Sequence, residues 1–89
     1  MLITWVGMSE ATSAQGVFTY TDAATGRLVS LEYPLDAKCY AANASGHAQN
    51  GTDKTAQLFD GYSCSGLLVG EIESGGVRGH AKFHWVRFI

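Results

Sequence analysis

The spacing of apolar and polar residues is the first signal in the chain. Within Arg27–Tyr33, Val29, Leu31 and Tyr33 share one side of an extended segment, while Ser30 and Glu32 share the other. That period of two marks a half-buried β-strand. Short apolar or alternating runs at Val17–Thr21, Lys38–Ala41, Thr55–Asp60, Leu67–Ile72 and Lys82–Ile89 predict further strands. Between them lie residues with turn chemistry: Thr25-Gly26, Asn50-Gly51, Asp60-Gly61, Ser65-Gly66 and Gly75-Gly76. Helical spacing is weak everywhere, and its best candidate is a single turn at Ser9–Ala14. Short strands separated by such turns predict an all-β sandwich or barrel.

Marking the turns exposes an internal repeat. Phe18–Asp22 runs into a turn ending at Gly26 and then the apolar segment Leu28–Leu31. Ala56–Asp60 runs into a turn ending at Gly66 and then Leu67–Ile72. Each half continues through a loop bearing Gly or Asn into another short strand. Two four-stranded units of roughly 35 to 40 residues, neither able to close a core alone, predict paired Greek keys.

Composition narrows the classes of function. The 89 residues suffice for one domain, and 46% hydrophobic with 16% charged residues favours a packed core over disorder. A net charge of -2 offers no basic footprint for nucleic acid or for an anionic membrane surface. No apolar run approaches the roughly 18 residues of a membrane span. The number and spacing of Cys39 and Cys64 exclude metal sites of the Cys-x-x-Cys type. They read as one disulfide closing a loop of about 26 residues, worth about 3 to 4 kcal/mol. The other reading is two small buried hydrophobes in a reducing cytosol.

The aromatic strands, the Gly-closed turns and the final Val86-Arg87-Phe88-Ile89 strand together resemble a βγ-crystallin domain. Lys38-Cys39-Tyr40-Ala41, then Asn50-Gly51-Thr52-Asp53, then Leu58-Phe59 followed by Cys64-Ser65-Gly66, adds a narrower likeness. That series is similar to the Cys-Tyr, Asn-x-Thr-Asp, Cys-x-Gly framework of small secreted actinobacterial proteins. The resemblance implies a two-Greek-key β-sandwich over residues 16–89, preceded by an apolar arm or signal remnant at 1–15. It also implies secretion into the extracellular medium. The same fold is used by killer-toxin-like antifungal proteins and by a metalloproteinase inhibitor, so the resemblance does not choose an activity. The family's calcium site needs adjacent Asn/Asp residues, two arbitrary positions and then Ser/Thr-Ser. Ala42–His47 keeps one acid–amide position of that pattern, and Gly79–His84 places Lys82 where oxygen ligands are needed. Calcium binding is therefore not expected.

No residue type stands in a catalytic pattern. His80 and His84 would make a metal pair on a helix, but on a strand they lie about 13 Å apart, and nothing places His47 beside them. Gly61–Gly66 resembles a nucleophile elbow until Ser65 is found where a second Gly is required. Asp22, Asp36, Asp53 and Asp60 sit at turn borders, where Asp caps its own backbone. None pairs recognisably with Glu10, Glu32, Glu71 or Glu73. Asn43-Ala44-Ser45 and Asn50-Gly51-Thr52 match the glycosylation sequon, and Asn50-Gly51 reads better as a tight turn. Neither a cofactor nor a resident metal is expected, and the chain is read as non-enzymatic.

Two features point to partners. Leu2-Ile3-Thr4-Trp5-Val6 is apolar and lies ahead of the repeat, as a signal remnant, an added strand or a cover over the core. Among the aromatics that must fill the core, Trp85 alternates away from Val86 and Phe88 and so faces outward. The expected function is a secreted protein-binding module, an adaptor or accessory subunit of a larger secreted assembly such as a toxin. It would dock on another secreted protein through Leu2, Ile3, Trp5, Val6 and Trp85. One alternative is a free-standing antimicrobial or killer-toxin-like effector, or a protease inhibitor that uses the Gly61–Gly66 loop. Another is a carbohydrate- or cell-wall-binding domain with Trp85 as its stacking ring.

Overall fold

The computed structural model describes residues 12–89. Six strands follow one another: β1 Gly16–Asp22, β2 Leu28–Glu32, β3 Cys39–Thr52, β4 Ala56–Asp60, β5 Leu67–Ile72 and β6 Val77–Phe88. A 3-10 turn at Ser63–Ser65 lies between β4 and β5. All pairings are antiparallel, and one continuous sheet runs β2-β1-β3-β6-β4-β5. That order is a single arrangement used twice: β2-β1-β3, then its reverse β6-β4-β5, joined where β3 pairs with β6. The sequence repeat corresponds to the hairpins β1–β2 and β4–β5. Each half supplies three strands rather than the four expected, because β3 and β6 take up segments that read as loops.

The length of β3 is the main departure from the sequence pattern. Ala42, Ala44, Ala48, Asn50 and Thr52 are buried, and Asn43, Ser45, His47, Gln49 and Gly51 are exposed. The period is that of a strand, but Ala, Asn and Gly are depleted in strands and disguise it. Asn50 and Gly51 form no turn; Asn50 pairs with Phe18 and Gly51 with Val17. Small residues are required here because the aromatic rings occupy the space above them. Phe18 meets Phe83 at 6.2 Å and Phe88 at 5.3 Å between ring centroids, both edge-on. Around these rings Tyr20, Leu58, Ile72 and Val86 complete the core, with Val29, Leu31 and Tyr40 packed against it.

The helical turn expected at Ser9–Ala14 is also corrected for its described part. Ser13 bridges Leu35, and the Ala14 amide donates to the Pro34 carbonyl at 2.7 Å. These residues extend the line of β1 because pairing with Pro34–Asp36 satisfies their backbone groups. Just after them, Gly16 has φ +103, and a Cβ there would stand 2.1 Å from the Gly51 carbonyl oxygen. Gly16→Ala is therefore expected to cost about 2 kcal/mol, read as a lower urea midpoint with an unchanged slope.

A buried amide closes the far end of the sheet. Asn50 is fully buried, and its side chain and backbone bond to the β3–β4 turn, the end of β5 and the β5–β6 turn. No helix of the described residues is long and apolar enough to cross a membrane. The arm residues Leu2, Ile3, Trp5 and Val6 lie outside the described residues.

Candidate functional site: the Tyr62 loop

At the end of β4 the chain leaves the sheet and folds back over it. Gly61 at φ +95 and Ser63 at φ 59 make the reversal, and the 3-10 turn comes to lie over β4, β6 and β3. Several bonds then fix the loop. Cys64 is joined to Cys39 of β3, with their Cα atoms 5.7 Å apart. The Trp85 indole donates to the Gly61 carbonyl at 2.8 Å. The Asp60 carboxylate accepts the Gly61 amide at 2.9 Å and lies 2.6 Å from His84 Nδ1. Inside the loop, the Gly66 amide donates to the Ser63 carbonyl at 3.2 Å.

The loop leaves β4 just after a buried aromatic residue. Phe59 is buried yet stands apart from the main core. It pairs with Trp85 across β4 and β6, and the Arg87 guanidinium stacks 5.2 Å from its ring centroid. Arg87 is itself fixed, donating through Nε and Nη2 to Gln57 Oε1 at 3.1 and 2.9 Å. Arg stacked on an aromatic face adds cation–π attraction to the burial of its stem. The result is a rigid base under a short loop. At its crest, Tyr62 is 91% exposed. The strip that follows, Leu67, Leu68 and Val69, is exposed as well.

The expected site residues fall as follows. Trp85 does lie on the opposite face from Val86 and Phe88, but it is half-buried and its N–H is engaged by Gly61. It positions the loop, and the most exposed aromatic residue among the described ones is Tyr62. Cys39 and Cys64 form the disulfide. His47 is an exposed residue of β3, His80 lies in β6, and His84 pairs with Asp60. Asp22 caps its own turn, accepting the Ala24 and Thr25 amides at 3.1 and 2.9 Å. Among the described residues no three His, Cys, Asp or Glu side chains gather into a metal-binding group.

Two members of the site were not singled out from sequence. Tyr62 sat inside the Gly61–Gly66 segment, and its only signal was one aromatic ring flanked by turn residues and a Cys. The Asp60–His84 pair depends on the β4–β6 register across 24 residues, which no local pattern reveals. The hydrogen bond from His84, then that from the Gly61 amide, holds the Asp60 carboxyl below the usual carboxylate range. A depressed folded-state value means that this contribution is present above the unfolded value, about 3.9. It is lost as pH falls through the folded value. An NMR titration of the Asp60 carboxyl is expected to show a midpoint below the ordinary one, returning toward it in His84→Ala.

No protein-family model, curated protein or solved structure matches the chain.

Proposed function

We propose that the chain is a non-enzymatic, secreted protein-binding module with a βγ-crystallin-like, two-unit Greek-key design. In this reading it is an adaptor or accessory subunit that docks through Tyr62 and the loop Gly61–Gly66. The observation that carries it is a Tyr side chain 91% exposed on a loop fixed by a disulfide, an indole hydrogen bond and a carboxylate. A ring presented on a pre-ordered loop binds without the entropy loss of ordering it. Tyr is also among the residues that dominate interface energetics. The disulfide supports an oxidising compartment, and the twice-used three-strand arrangement supports the two-unit reading. The arm Leu2–Val6 remains a second proposed docking element.

The same bracing favours one narrower version, a protease inhibitor, since an inhibitory loop must be exposed and rigid. The test is to recover the C-terminally tagged chain from the culture medium of its native host and identify a stoichiometric companion. Tyr62→Ala is expected to weaken that companion's binding by roughly 30-fold, or about 2 kcal/mol, with thermal unfolding unchanged. A protease as companion selects the inhibitor version. Full retention of the companion by Tyr62→Ala contradicts the loop as the docking element.

A further inference from the structure

We propose that the edge of β5, open among the described residues, is a groove for an extended segment of a partner protein that alternates apolar and basic side chains. This rests on the protein-binding reading, but it uses a different set of residues from the Tyr62 loop.

The backbone shows which groups are free. Thr55 and Ile89 exchange both of their hydrogen bonds, at 3.1 and 3.0 Å. In an antiparallel ladder alternate residues face alternate neighbours. Gln57 and Phe59 therefore bond to β6, whereas Ala56, Leu58 and Asp60 turn toward β5. Their partners on β5 are Ile72, Gly70 and Leu67. Leu68 and Glu71 consequently aim their backbone groups outward, to where no further strand of the described residues pairs with β5. The Glu71 carbonyl is taken by the Arg78 guanidinium, which reaches over from β6. The register shift beside Val69 breaks the ladder here and leaves Val69 without a partner on β4.

The open stretch has both volume and character. A concavity of about 550 Å³ lies beside it, lined by Leu68–Glu71, Glu73 and Arg78, with Thr55 just ahead of β4. Leu68 is 46% and Val69 44% exposed, an apolar strip that an edge strand does not ordinarily leave bare. Glu71 and Glu73 contribute two carboxylates, and Arg78, the cation among the described lining residues, already serves the Glu71 carbonyl. The groove is thus apolar at one end and acidic at the other. Two carboxylates two residues apart match a partner strand with basic side chains at every second position. Strand addition would supply main-chain affinity, and the apolar strip and acidic end would supply selection.

The test uses the full chain with its disulfide intact and three fluorescein-labelled peptides, read by fluorescence anisotropy. One alternates Val and Lys, the second alternates Val and Glu, and the third is the Val-Lys peptide with a central Pro. The Val-Lys peptide is expected to bind, with the other two about tenfold weaker or worse, because like charges and a missing ladder donor both oppose docking. The double variant Glu71→Lys with Glu73→Lys is expected to reverse the preference toward Val-Glu. Amide shifts on binding are expected at Leu68 and Glu71 and absent at Ser30 on the opposite edge strand. Tyr62→Ala is expected to leave peptide affinity unchanged, so that failure of the loop and failure of the groove are separable. No binding of the Val-Lys peptide, equal binding of Val-Lys and Val-Glu, no reversal in the double variant, or shifts at Ser30 instead would each overturn the proposal.

Discussion

Asn50→Ala is expected to lower the unfolding free energy by roughly 3 to 4 kcal/mol, since each buried polar partner left unsatisfied costs about 1 to 3 kcal/mol. The Asn50 amide is fully buried and uses all of its capacity. Its Nδ2 donates to the Lys54 carbonyl at 2.7 Å and the Ile72 carbonyl at 2.8 Å. Its Oδ1 accepts the Thr52 hydroxyl at 2.6 Å and the Thr52 amide at 3.1 Å. The backbone of the same residue bonds to Gly75 and Gly76. One side chain thus ties the β3–β4 turn to the end of β5, two segments that share no strand pairing. Truncation orphans two carbonyls and leaves a void. Asn50→Leu, which fills the space but makes no hydrogen bond, is expected to be nearly as damaging. Urea unfolding measures both, and the corresponding fall in Tm is roughly 15 to 25 °C for a domain of this size. A loss below about 1 kcal/mol in both variants would show that the amide bonds add little to stability.

The second large effect is expected from Cys39→Ser with Cys64→Ser. The cysteines are 25 positions apart, and the chain-entropy model then gives about 3.5 kcal/mol of stabilisation. This substitution also acts locally, because Cys64 ties the Tyr62 loop to β3. Trp85 reports that change, since its indole bonds to Gly61. In a Trp5→Phe background, its emission is expected to shift to the red under native conditions, before global unfolding. Partner binding through Tyr62 is expected to weaken in parallel as the loop gains freedom. Unchanged emission and binding in the double variant would mean that hydrogen bonds alone hold the loop.

How far the fold could be read from sequence depended on which residues carried each strand. The hairpins β1–β2 and β4–β5 are legible because Val17, Phe18, Val29 and Phe59 are strong strand formers bounded by Gly turns. Their repetition was legible for the same reason, and the strand order then displays it. β3 reads short in the sequence because its buried face is built from Ala42, Ala44 and Ala48, whose small side chains make room for the rings of Phe18 and Phe83. β6 reads short in the sequence because Gly79 and His80 give no apolar alternation at its start. The site was less legible than the fold. Two cysteines suggested a disulfide, but nothing local linked Trp85 to Gly61 or Asp60 to His84. Those contacts arise from the register between β4 and β6. Nor does the sequence around Tyr62 distinguish a ring folded inward from one held out on a braced loop.

The central claim is that a partner protein contacts Tyr62. The most direct test places a photo-crosslinking phenylalanine analogue at position 62 and, separately, at position 45, an exposed residue of β3 away from the loop. Each protein is irradiated in the secreted fraction of its native host. A single defined adduct from position 62, absent from position 45 and lost when the disulfide is removed, is the predicted result. The same adducts from both positions, or none from position 62 with the chain folded and present, would contradict the account.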